Sequence, residues 1–168
     1  HQTMPAKSYM YALPYKYYAE DGVRRYGFHG TSHRYVSQRV CEFLGVEPKG
    51  KKIITCHVGN GGSITAVKDG KSIDTSMGLT PTERLMLGTR CGEVEPGALI
   101  FLMDKNNLSS KDMLNMVNKE SGLAGISGVS SDMREITAAA KQGNEKAILS
   151  LEMYEQRITK YVGAFAAE

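Results

Sequence analysis

The sequence predicts an α/β fold, part of a domain in which a three-stranded antiparallel meander is followed by helices. Three observations predict it. Runs rich in β-formers at residues 52–57, 63–68 and 71–75 are short and closely spaced. The first two are parted by Gly59 to Gly62, and the last two by Asp69-Gly70, a dipeptide favoured in two-residue hairpins. Apolar residues at helical spacing occur on both sides of this region, several behind a residue suited to capping a helix.

Taken in order, residues 1–27 hold Pro5, Pro14 and six tyrosines between Tyr9 and Tyr26, and read as an extended segment with short helical turns that packs on something else. Thr31 and Ser32 suit the N-cap of a helix over about 32–44, with Val36, Val40, Phe43 and Leu44 as its apolar stripe and Gly45 as its stop. The three strands follow. Pro96 to Asp104 reads as a buried helix with proline in its first turn. Ser109 and Asp112 cap a helix carrying Met113, Leu114 and Val117. Asp132, with Glu135 three residues later, reads as a variant capping box opening a helix to about Lys141. The last helix starts near Gly143, with Ile148, Leu151, Tyr154, Ile158, Tyr161 and Phe165 on one stripe. No repeat or low-complexity linker interrupts the chain, so one domain, or most of one, is expected.

Composition narrows the function. The 168 residues are 41% hydrophobic and 23% charged, ordinary for a globular protein. A net charge of +3 without a run of like charges argues against a nucleic-acid partner. No apolar stretch approaches the roughly 18 residues of a membrane span, and no signal peptide is visible. Cys41, Cys56 and Cys91 are odd in number and lack Cys-x-x-Cys spacing, which points to a reducing compartment, the cytoplasm, rather than to disulfides or zinc. The chain opens without an initiator Met and closes inside an apolar helical pattern, and so reads as an internal piece of a longer protein.

Four stretches carry candidate chemistry. His57 to Ser63 places a Gly59-Asn60-Gly61-Gly62 turn between two strands, where backbone amides can form a concavity for a phosphate; a plain flexible hairpin has the same pattern. Gly27 to His33 lies at a helix start, where a phosphoryl oxygen would be favoured beside His29. Alternatively Thr31 and Ser32 simply cap the helix, and His29 and His33 are structural; as a metal pair the two histidines lack a third ligand. Met86 to Gly92 sets Arg90 in a glycine-flanked loop, and its planar fork matches phosphate or carboxylate oxygens, or else makes a loop contact. Ser130 to Arg134 offers Asp132 for a ribose hydroxyl and Arg134 for a base or phosphate, though capping alone accounts for Asp132. Glu83, Glu93 and Glu95 as an acid pair, and Cys91 as a nucleophile, are weaker alternatives.

Together these motifs resemble the acetate kinase family. The matching stretches are His1 to Pro5, Arg25 to His33, His57 to Ser63, Asp74 to Gly78, Gly88 to Gly92 and Ser121 to Arg134, in the same order and separation along essentially the whole chain. The resemblance implies a ribonuclease-H-like, actin-like ATPase fold, with residues 1–27 as an inter-domain remnant and 28–168 as the first part of the C-terminal kinase domain. It implies reversible, Mg²⁺-dependent phosphorylation of acetate by ATP to give acetyl phosphate and ADP, by a homodimer. His57, Val58, Gly59, Asn60 and Gly61 would contact the ATP phosphates, and Asp132, Met133 and Arg134 the nucleotide. His29 and Arg90 would stabilise the transferring phosphoryl group, and Phe28 and Pro81 would line the acyl pocket. The family's catalytic aspartate would fall just before His1, and its metal ligands outside the chain, so these residues alone would be inactive. Arg84 stands where the family pattern has glycine, beside Pro81. A propionate or butyrate kinase, and for the isolated chain a non-catalytic nucleotide-binding or dimerisation module, are the rival readings.

Overall fold

The computed structural model describes residues 1–83 and 85–168. The chain divides into two compact units, residues 1–83 with 159–168, and residues 84–158.

The first unit begins with two short helices, α1 (Ala6–Tyr9) and α2 (Tyr15–Ala19). Met10 bridges to Arg24, whose guanidinium lies 3.7 Å from the Tyr9 ring centroid, so the tyrosine-rich segment is pinned on itself. Helix α3 (Gly30–Leu44) follows, ending at Gly45 in the left-handed conformation with φ of 62°. Then come β1 (Lys52–Val58), β2 (Gly62–Lys68) and β3 (Lys71–Thr75), an antiparallel meander in the order β1-β2-β3. Asp69 and Gly70 take positive φ of 54° and 74°, as a two-residue hairpin requires. The expected α/β class and meander are what the chain forms.

The packing face of α3 differs from the expected one. Phe43 is 86% exposed, and Val36 and Leu44 are exposed as well, while His33, Ser37 and Cys41 are buried. Their spacing of four residues makes one face. It is polar because the sheet beneath it is polar: Thr55 pairs with Thr65 and His57 with Ser63 across β1 and β2. Hydroxyls and a histidine satisfy one another there, and an apolar stripe would leave them unpaired.

In the second unit, α4 (Pro96–Asn106) is not the buried helix expected from its composition. None of its residues is buried, and Ile100 and Phe101 are each 60% exposed, because nothing among the described residues covers that face. Glu95 caps it by accepting hydrogen bonds from the amides of Gly97 and Ala98, each at 2.7 Å. Helix α5 (Ser110–Lys119) carries the full Ser109–Asp112 capping box and buries Met113 and Val117. A six-residue helix without an apolar period, α6 (Gly122–Ser127), was not expected. Asp132 caps α7 (Met133–Lys141) through the amide of Arg134 rather than that of Glu135. The core joins Met86, Leu123, Ile136 and Ala147, with Leu151 and Tyr154 against it. Helix α8 (Glu145–Ala166) therefore presents Ala147 and Ser150, both fully buried, where Ile148 was expected; Ile148 is 38% exposed. Small residues let the neighbouring backbone come close.

Candidate functional site

In the first unit the candidate residues gather where α3 begins and β1 turns into β2. Helix α3 starts two to three residues earlier than Thr31 and Ser32 would have it: His29 is the N-cap and makes no side-chain cap bond. Ser32 is thus freed for another partner, and its Oγ lies 2.9 Å from His57 Nδ1. His29 Nδ1 lies 2.8 Å from Ser63 Oγ. The two imidazoles stack, with centroids 3.9 Å apart and planes at 18°.

Both rings border the glycine turn. A Cβ on Gly61 would sit 3.2 Å from Cε1 and Nε2 of His29, and one on Gly59 3.8 Å from His57 Nε2. Gly59 donates its amide to Gly61 O at 2.9 Å, so that amide closes the turn instead of facing outward. Asn60 and Gly61 lie outside both strands, in a turn of the kind whose amides can meet an anion. His57, Val58, Gly59, Asn60, Gly61 and His29 are thereby brought together. Gly61→Ala would press a methyl on the His29 ring; turnover of the full-length protein is expected to fall about 10- to 100-fold, with stability changed by less than about 1 kcal/mol. Steady-state kinetics beside a urea melt would separate the two effects.

His33 is no metal partner for His29. Its Nδ1 bonds Thr55 Oγ1 at 2.7 Å and its Nε2 bonds Ser63 Oγ at 2.6 Å, which uses both nitrogens. Burial, then the neighbouring His29 and His57, lower its pKa from 6.5 to about 4. Above pH 6.5 folded and unfolded chains are both neutral here. As pH falls from 6.5 toward 4 only the unfolded chain takes up the proton, so stability drops, by of order 2 kcal/mol. Urea midpoints measured across that range should show the loss, and His33→Gln should flatten it.

Phe28 is 52% exposed and Pro81 half-buried. Their segments are tied together, because the amides of Tyr26 and Gly27 donate to Gly78 O at 3.1 and 3.3 Å. Tyr11 Oη accepts from Leu79 N at 2.8 Å and donates to Glu83, and burial with that bond pushes the phenol pKa up. Arg84, which the sequence sets beside Pro81, lies outside the described residues. Arg25 meets Asp74 at 3.0 Å with both side chains nearly buried; burial raises the Asp74 pKa against the pull of Arg25.

In the second unit Arg90 is half-buried on a loop fixed by backbone bonds. Leu87 N donates to Arg90 O at 3.1 Å, Leu123 N to Leu87 O at 2.8 Å, Ala124 N to Gly88 O at 2.8 Å and Ser121 N to Thr89 O at 3.0 Å. A Cβ on Gly88 would lie 3.1 Å from Ser131 Cβ, so the Arg90 loop and the Ser130–Arg134 stretch adjoin. Asp132 pairs with the exposed Arg134 at 2.6 Å, and that hydrogen bonding lowers its carboxyl pKa to about 2. Met133, the first residue of α7, is 38% exposed.

The weaker alternatives have other partners. Glu83 bonds Tyr11, Glu93 meets Arg157 at 3.4 Å, and Glu95 caps α4. Burial raises the Cys91 pKa, the reverse of what a thiolate nucleophile needs. Sequence reasoning named Ser32 only as a cap and Ser63 only as the end of a motif, and missed Thr55. The signal for Thr55 and Ser63 was hydroxyls and a histidine at period two, at 55 and 57 and at 63 and 65, which share a face once the strands pair.

Comparison with known proteins identifies the family. The acetokinase family model matches residues 1–168. The chain is 67% identical to the acetate kinase of Phocaeicola vulgatus and 54% identical to that of Halothermothrix orenii, covering 99% of this chain and 42% of each relative. The crystal structure of Porphyromonas gingivalis acetate kinase superposes with a TM-score of 0.97 at 58% identity, over 99% of this chain and 42% of that one. A propionate kinase from Francisella tularensis superposes at 0.95 with 44% identity, over 99% and 43%. The chain thus spans about two fifths of the length of these relatives, and it belongs to the acetokinase family.

Proposed function

We propose that the protein is an acetate kinase, reversibly transferring the γ-phosphoryl group of ATP to acetate, and that this chain supplies part of its site. The observation that carries the reading is the His29–His57 stack against the Gly59–Gly61 turn, in a chain of the acetokinase family. Phosphoryl transfer to a carboxylate brings two anions together, so catalysis is positioning and charge stabilisation. Acetate needs no strong base, being ionised near neutral pH.

Under this reading the Asn60 and Gly61 amides, with His57 and Val58, cradle ATP phosphates. His29 hydrogen-bonds an oxygen of the moving phosphoryl group. Arg90 offers a guanidinium fork suited to phosphoryl oxygens. Asp132, Met133 and Arg134 contact the nucleotide, which requires Arg134 to leave its exposed pair with Asp132. Phe28 and Pro81 border a small acyl pocket. Residues 28–168 open the C-terminal kinase domain, and 1–27 precede it as the inter-domain segment. A cytoplasmic homodimer completes the family reading.

A divalent metal bound with ATP would neutralise phosphate charge. Among the described residues no group of three or more His, Cys, Asp or Glu is placed to hold one. Glu83 bonds Tyr11 and Glu95 caps α4, so the residues present do not fit a metal site.

The full-length protein, given ATP and acetate with hydroxylamine as trap, should yield acetohydroxamate, with turnover falling from acetate to propionate to butyrate. Preference for propionate would instead support the second reading, which the likeness to a propionate kinase favours. No acyl phosphate from any of the three would overturn the proposal. The 168 residues alone are expected not to turn over.

A further inference from the structure

The hydroxyls beneath α3 form one hydrogen-bonded line. Its fixed end is the Thr65 carbonyl oxygen, which accepts from Thr55 Oγ1 at 3.5 Å. Thr55 Oγ1 lies 2.7 Å from His33 Nδ1, His33 Nε2 lies 2.6 Å from Ser63 Oγ, and Ser63 Oγ lies 2.8 Å from His29 Nδ1. Thr55, His33 and Ser63 are 4%, 3% and 0% exposed, so their hydrogens are shared along the line and not with bulk water.

The direction of donation follows from one end. A carbonyl oxygen only accepts, and the Thr55 hydroxyl lies 3.5 Å from Thr65 O, so we take its hydrogen as directed there and not to His33 Nδ1, which would polarise the line the other way. Thr55 Oγ1 then receives a proton from His33 Nδ1. Burial keeps His33 neutral, with one N–H and one lone pair, so its Nε2 is the lone pair and accepts from the Ser63 hydroxyl. Ser63 Oγ has donated its hydrogen and is left as an acceptor for His29 Nδ1–H. His29 Nε2 is the edge that lies against Gly61. The rings around it among the described residues include His57, stacked at 3.9 Å, and His33, at 6.4 Å between centroids.

We propose that Thr55, Ser63 and His33 are positioning residues that hold His29 as the Nδ1–H tautomer, so that its Nε2 donates a hydrogen bond only when the ring is an imidazolium. The inference rests on the kinase reading for its purpose: the donor to the phosphoryl oxygen is a cation, whose charge strengthens as negative charge gathers on that oxygen. A neutral Nε2–H ring would donate without that charge.

Long-range ¹H–¹⁵N spectra of the ¹⁵N-histidine-labelled full-length protein test this, at a pH where the ring is neutral. The His29 signals are assigned by their loss in His29→Gln. The expected pattern is a protonated Nδ1 and a bare Nε2; a protonated Nε2 in the neutral ring overturns the proposal. Thr55→Val keeps the shape, touches no atom of His29 and removes the acceptor for His33 Nδ1. His33 should then protonate at Nε2 and donate to Ser63, whose hydrogen turns to His29 and shifts it to Nε2–H. An unchanged His29 pattern in folded Thr55→Val refutes the relay. Should that variant fail to fold, the wild-type spectrum still decides. Neither readout involves turnover, so absence of kinase activity would sink the kinase reading and leave the tautomer result standing.

Discussion

Gly122→Ala is expected to destabilise the protein by about 3 kcal/mol or more, the largest stability effect among the changes considered. Gly122 opens α6 with φ of 65°, a conformation that costs an L side chain roughly 1–2 kcal/mol by itself. Space adds to that cost. A Cβ there would overlap the Leu87 carbonyl oxygen and would lie 2.7 Å from Arg90 O and 2.9 Å from Arg90 N. All three are backbone atoms of a loop held by its own hydrogen bonds, so no side chain can swing aside. Relief would require breaking the bonds from Leu123 N to Leu87 O and from Ala124 N to Gly88 O. The variant should therefore lower the urea midpoint of the full-length protein and displace Arg90 as well, reducing turnover even in the folded fraction. A midpoint within experimental error of wild type would show that the loop yields easily.

Arg90→Ala should have the converse profile, with kcat/KM lower by about 100- to 1000-fold and stability within about 1 kcal/mol of wild type. The loop geometry is set by main-chain bonds at Leu87, Gly88, Thr89 and Arg90, none of which the substitution removes. What is lost, on the proposed kinase reading, is a guanidinium presented from a rigid platform to the phosphoryl group. Arg90→Lys should recover only part of the rate, since an ammonium keeps the charge but loses the fork that meets two oxygens. Initial rates of hydroxamate formation, with a thermal melt of each variant, provide the check. Wild-type turnover in Arg90→Ala would remove Arg90 from the site.

Much of this protein follows from local sequence. The meander is written in period-two β-formers and an Asp69-Gly70 turn; the two-residue loop sets the register beside it, and an irregularity between Ala66 and Val67 shifts it by one residue beyond. Capping residues at Ser109 and Asp132, and Gly45 as a stop, place three helix ends, because such signals act over a few residues. The candidate residues at 28–29, 57–61 and 88–90 are visible as glycine-bordered motifs, and those at 132–134 as a helix start. Which face each helix buries was decided elsewhere. Helix α3 turns His33, Ser37 and Cys41 inward and leaves Phe43 in solvent, because its partner is a layer of threonine and serine hydroxyls that only strand pairing assembles. Helix α4 reads as buried yet is exposed, since hydrophobicity states a need for a covering surface and not whether the chain provides it. Helix α6 has no apolar period at all; it exists because backbone bonds to the Arg90 loop hold it there. The sequence by itself thus determined the elements and the chemistry on offer. Only the tertiary structure decided that His29 would be joined through Ser63 to His33 and Thr55, since a hydrogen bond between residues 34 positions apart depends on packing that no local pattern encodes.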